Sequence, residues 1–113
     1  MPTEALARGI TSYSFNNVAF PSNGTGGTVL AIPRVRGGTG LAFSWFTLYT
    51  GSPSAVSVIL QGSDDNTNWF SFGTATTNTA GEAINVSGVT FRLVRAMMTS
   101  RTGGTNITVG ITI

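Results

Sequence analysis

Residues 58–74 read VILQGSDDNTNWFSFGT. Two runs rich in β-branched and aromatic residues enclose a cluster of Gly, Ser, Asp, Asn and Thr. Such runs suit a pleated, half-buried surface. Such clusters reverse the chain, because Asx and Ser side chains hydrogen-bond their own backbone. The cluster has a rival reading as a ligand site, since Asp64, Asp65, Asn66 and Asn68 fall within five residues. Calcium, however, takes about six to eight oxygens from a loop of defined spacing closed by a bidentate glutamate. GSDDNTN, residues 62–68, has neither that spacing nor that glutamate. The segment is therefore read as a strand–turn–strand connection holding no metal.

The same pattern extends in both directions. Strands are expected over 10–20, 28–35, 41–50, 55–62, 69–74, 83–86, 89–98 and 105–113, about eight in all. Between them lie turn clusters such as PSNGTGG (21–27), RGGTG (36–40), GSPS (51–54), Ser87–Gly88 and SRTGG (100–104). The apolar parity of 10–20 breaks, which predicts a bulge near Asn16–Asn17. Pro33 lacks a ladder donor, which places 28–35 at an edge or ends it there. In LAFSWFTLYT, residues 41–50, both parities carry large apolar groups, so both faces are expected to be covered, one by the core and one by a partner. No segment of ten or more residues repeats with a helical period. The fold expected is an all-β, single-domain, jelly-roll-like sandwich over 10–113, preceded by a short arm at 1–9.

Composition narrows the chemistry. The 113 residues suffice for one core. There is no cysteine and no histidine, and all six basic residues are arginines. Charged residues are 9% of the chain, against about 25% in ordinary soluble domains. A net charge of +2 is too small for a nucleic-acid footprint. No apolar run approaches the roughly 20 residues of a membrane-spanning helix. Catalysis needs a group that moves protons or attacks. Glu4, Asp64, Asp65, Glu82 and two tyrosines are a poor inventory, and adjacent Asp64 and Asp65 diverge on an extended chain. No enzyme and no cofactor are expected. A surface so poor in charge lacks the usual solubility device, which is explained if an assembly covers it.

Two sets of candidate contact residues remain. Glu4, Leu6 and Arg8 of the arm, with Arg34, Arg36, Arg92 and Arg95, are candidates for a protein interface, where arginine forks pair with carboxylates. Arg92 and Arg95 fall at opposite parity of one expected strand. Trp69, beside Asn66 and Asn68, is the alternative: an aromatic face and amides that would meet a glycan.

The string VSVILQGSDDNTNWFSFGT, followed by FRLVRAMM, resembles discoidin-like β-sandwich segments, in which Gln-Gly-Ser, an acidic turn and Asn-Trp join two strands. Similar strings occur in small β-sandwich capsid decoration (cement) proteins of tailed phages. The likeness covers residues 56–98. It implies a virion structural protein on the capsid exterior, made in the host cytoplasm. Its partner would be the major capsid protein, and it would be a homo-oligomer (dimer or trimer) on the particle. A carbohydrate-binding module and a coat, tail or fibre subunit are the alternatives.

Overall fold

The computed structural model describes residues 3–5, 11–32, 41–76, 82–89 and 91–112. They form ten strands: β1 (Thr3–Ala5), β2 (Thr11–Ala19), β3 (Thr25–Gly26), β4 (Val29–Ala31), β5 (Leu41–Tyr49), β6 (Ala55–Ser63), β7 (Phe70–Ala75), β8 (Glu82–Val89), β9 (Leu93–Thr102) and β10 (Asn106–Thr112). One sheet has the order β1-β4-β9-β6-β7, with β3 also on β9; the other runs β2-β10-β5-β8. Leaving aside β1 and β3, the chain changes sheet at every link except β6–β7. That path is the two-Greek-key, eight-stranded jelly roll.

The β6–β7 connection is the stretch quoted at the outset, and it is a hairpin. The two strands beyond the expected eight are short. β3 spans two residues, and β1 spans three and runs parallel to β4, Thr3 opposite Val29. Thr3–Ala5 of the arm thus lie along a sheet edge; the rest of 1–9 is outside the described residues. β4 stops at Ala31, ahead of Pro33, as a residue without a ladder donor requires.

Strand alternation supplies the core. Val56, Val58 and Leu60 of β6 meet Val94, Ala96 and Met98 of β9, all buried. Ile107, Val109 and Ile111 of β10 and Trp45 of β5 close the layer from the other sheet, each fully buried. Each large side chain among them contributes on the order of 2 kcal/mol.

Two expected boundaries are corrected. Ser87–Gly88 is not a tight turn but a bulge inside β8: Leu41 pairs Val89 while Phe43 pairs Val86, and Gly88 takes a φ of 70°. β9 begins at Leu93 rather than 89 and continues through Ser100–Thr102, which the sequence suggests as turn. The bulge expected near Asn16–Asn17 is present. Val18 pairs Ile107 but Phe15 pairs Val109, and Asn17 sits at φ 49°. A second bulge follows at Ser14, between Phe15–Val109 and Tyr13–Gly110.

That second bulge clasps the two sheets. Ser14 Oγ accepts the Ala96 N–H at 2.8 Å and donates to the Thr28 carbonyl at 3.0 Å, while its own carbonyl accepts the Thr28 N–H at 2.7 Å. Gly27 permits this approach, because a Cβ there would run into the Ser14 backbone.

Candidate partner-binding surface

The 62–68 turn uses its polar groups internally. Asp65 Oδ1 accepts the N–H groups of Asn68 at 2.8 Å and Thr67 at 2.9 Å, and the Ser63 hydroxyl at 3.1 Å. Asp65 Oδ2 accepts from Asn68 Nδ2 at 2.7 Å. These donors, the Asn68 N–H foremost, hold the Asp65 carboxyl well below the usual carboxylate range. Ser63 Oγ in turn accepts the Asn66 N–H, and Asn66 adopts φ 61°. Asp64 Oδ1 accepts the Arg92 N–H at 3.0 Å, tying the hairpin to the start of β9. This is a self-satisfied Asx turn. Among the described residues no three His, Cys, Asp or Glu side chains gather as a metal site would require.

Trp69 lies half-buried beside that turn, covering Arg95. The guanidinium carbon of Arg95 is 4.0 Å from the ring centroid, and Arg95 Nε donates to Gln61 Oε1 at 3.0 Å. On the other side Arg95 lies across β3, where a Cβ at Gly26 would be 3.0 Å from its Nη1. Burial lowers the pKa of Arg95, and the indole face offsets part of that desolvation. One face of the Trp69 ring and the Asn68 amide are therefore already engaged, while Asn66 is exposed. Tyr49 stacks on Phe20 at 5.9 Å, and burial pushes its hydroxyl up from the ordinary phenol range.

The interface candidates scatter. Arg92 is exposed just ahead of β9, not within it, and Arg95 is half-buried on the outer face of the six-stranded sheet. Glu4 is in β1, opposite Leu30. Leu6, Arg8, Arg34 and Arg36 lie outside the described residues. Arg101, which the sequence does not single out, lies 4.9 Å over the Phe20 ring and donates to the Gly103 carbonyl.

The outer face of the four-stranded sheet is different in kind. Trp45 and Thr47 of β5 point inward and are fully buried. The opposite parity places Ala42, Ser44, Phe46 and Leu48 outside, with Leu48 49% exposed. Phe46 lies over Gly110, where any Cβ would strike its ring, and meets Tyr13 edge-on at 6.4 Å. Gly110 pairs with both Phe46 and Tyr13, so the two rings cover the gap that a strand glycine leaves. Around them stand Thr11, hydrogen-bonded to Thr112 at 2.7 Å, then Thr108, Ala83 and Asn85. Glu82, at one end of β8, is the sole acidic or basic residue in β2, β5, β8 and β10. The sequence shows two apolar parities at 41–50. It does not show that Tyr13 completes the outer one.

No helix among the described residues is long and apolar enough to cross a membrane. No protein-family model matches the chain, and no curated protein does. Among solved structures, the crystal structure of SPBc2 prophage-derived protein YomS is similar over 94% of this chain and 96% of its own, at 15% identity and a TM-score of 0.47.

Proposed function

We propose that this protein is a non-enzymatic virion component that binds the outer surface of a phage capsid, through its major capsid protein, and stabilises the shell. The observation that carries this reading is the outer face of the four-stranded sheet. It is broad and uncharged, and it presents Leu48, Phe46 and Tyr13 amid short hydroxyl and amide side chains. A face of that composition suits a permanent protein contact better than open solvent. Binding only the assembled lattice stabilises that lattice by mass action, by RT ln(1 + [L]/Kd) per site. The segment 1–9, with Glu4, Leu6 and Arg8, would add contacts across a seam between capsid subunits.

The test uses particles of the phage that encodes the chain, with and without its gene. Cryo-electron microscopy should show exterior density that disappears with the gene, and the depleted shells should open at lower temperature. Adding back the protein should restore both; Leu48→Glu should not, and deletion of 1–9 should lower occupancy. Shells of unchanged appearance and heat resistance without the gene would refute the reading.

The glycan alternative at Trp69, Asn66 and Asn68 has less support, because Arg95 and Asp65 already occupy the Trp69 face and the Asn68 amide.

A further inference from the structure

The sandwich has a second unusual surface, distinct from the sheet face. β7 and β8 end their respective sheets on one flank, and a crevice of about 280 Å³ lies between them. Phe72, Val86, Val89 and Phe91 line it, together with Ser87 and Gly88. At its rim stands Phe70, 59% exposed, the most exposed of the large hydrophobic residues described. Phe70 stacks on Phe91 at 6.3 Å, and Phe91 leans on Phe72 at 5.7 Å. A half-exposed ring thus stands beside an open crevice with aromatic and aliphatic walls. At about 280 Å³ the crevice falls at the low end of the roughly 300–1,000 Å³ of small-molecule sites and has room for a side chain.

Edge strands are normally guarded by Lys, Pro or inward charges. β7 contains no charge and no proline, and β8 contains only Glu82 at its start. Both strands are bulged, at Phe72 and at Ser87–Gly88, so a long ladder with another chain is disfavoured and side chains must carry any contact.

We propose that this flank is a self-association surface and that its occupant is a second copy of the same chain, related by a two-fold axis. In such an isologous contact the same patch appears twice, so it must be complementary to itself. The flank meets this requirement in shape, since Phe70 of each copy enters the crevice of the other. It meets it in charge too. Arg92 follows Phe91 directly, and its guanidinium has no carboxylate partner among the described residues. Asp64, with one oxygen on the Arg92 N–H, stands at the same end of the flank. A two-fold axis running along the strands sets this end of one copy against the same end of the other, so each Arg92 faces the other copy's Asp64. The contact leaves the four-stranded face free, so it neither requires nor excludes capsid binding.

The test is sedimentation velocity on the full chain over a hundredfold concentration range, at low and high salt. Wild type should show a monomer–dimer equilibrium that weakens with salt. Phe70→Ser should be monomeric and still unfold cooperatively, with its thermal midpoint lowered by the lost stacking on Phe91 and no longer dependent on protein concentration. Arg92→Glu should weaken the dimer at least tenfold. Leu48→Glu, on the other face, should leave it intact. A wild type monomeric throughout overturns the proposal, and so does a dimer that survives Phe70→Ser or is dispersed by Leu48→Glu.

Discussion

Ser14→Ala is the sharpest probe of how the two sheets are joined. The side chain is 3% exposed, and its hydroxyl bridges β9 and the β3–β4 link. Alanine fills nearly the same space, so the cavity contribution is small. What is lost is the acceptor for the Ala96 N–H, on a residue that is fully buried. A buried donor left unmatched costs about 1–3 kcal/mol. Thr28 is half-buried, so its carbonyl recovers water and adds little. A loss of about 2 kcal/mol is expected. For a chain of this size that corresponds to a fall of roughly 6–10 °C in thermal midpoint, or about 1 M in the urea midpoint with the slope unchanged. Circular dichroism and tryptophan fluorescence report both. Hydrogen exchange should show the Ala96 amide, slow in wild type, exchanging faster. Ser12→Ala is the control: Ser12 is half-buried and makes no side-chain hydrogen bond, so it should shift stability by less than about 0.5 kcal/mol. If Ser14→Ala stays within that same margin, the clasp contributes nothing and the bulge has another origin.

Two further outcomes follow from the geometry. Gly27→Ala drives a Cβ into the Ser14 backbone, which no side-chain rotation relieves, so a loss of about 1–3 kcal/mol in urea unfolding is expected; a loss below about 0.5 kcal/mol would show that the two segments part without strain. Asp65 is held below its unfolded pKa, so its contribution is complete above about pH 5 and is lost progressively as pH falls through the unfolded value toward the lower folded one. The Thr67 and Asn68 amide resonances should therefore stay put through pH 4 and move only in stronger acid; a titration midpoint near 3.9 would show that the turn does not hold the carboxylate.

How much of this was readable beforehand depends on the range of each interaction. The β6–β7 hairpin was legible because both its strands and the Asx turn between them are written in contiguous residues. The inward row Ile107, Val109 and Ile111 was legible because half-burial imposes a period of two. Gly88 misled because a glycine at positive φ looks the same in sequence whether it turns the chain or bulges a strand. β3 was missed because two residues carry no period, and its existence depends on Met97 and Met98 lying alongside. The candidate contact surface was half legible. The double apolar parity at 41–50 announced an outer face. That Gly110 would seat Phe46 against Tyr13 is a matter of register between distant strands. Trp69 and Arg95 were each singled out, for different roles; only the fold shows that one caps the other.

The segregation of charge separates the two surfaces in the work they can do. Arg92, Arg95, Arg101, Asp64 and Asp65 all belong to the six-stranded sheet or its connections, while the four-stranded sheet has Glu82 alone. Contacts on the uncharged face draw on apolar area and short-range hydrogen bonds, which ionic strength hardly touches. Thr11, Thr108 and Thr112 are short, stiff side chains already hydrogen-bonded in place, so docking on them costs little rotamer entropy. Such a face gains nothing from electrostatic steering and associates slowly, but it holds in any salt. The β7–β8 flank instead combines an exposed aromatic ring with Arg92 and Asp64, and in the proposed dimer their attraction would speed encounter and be screened by salt. On the proposed capsid role, in which the chain would dock many times on a repeating surface, that division would be an advantage. The proposed pairing step would then respond to solution conditions while the seated contact would not.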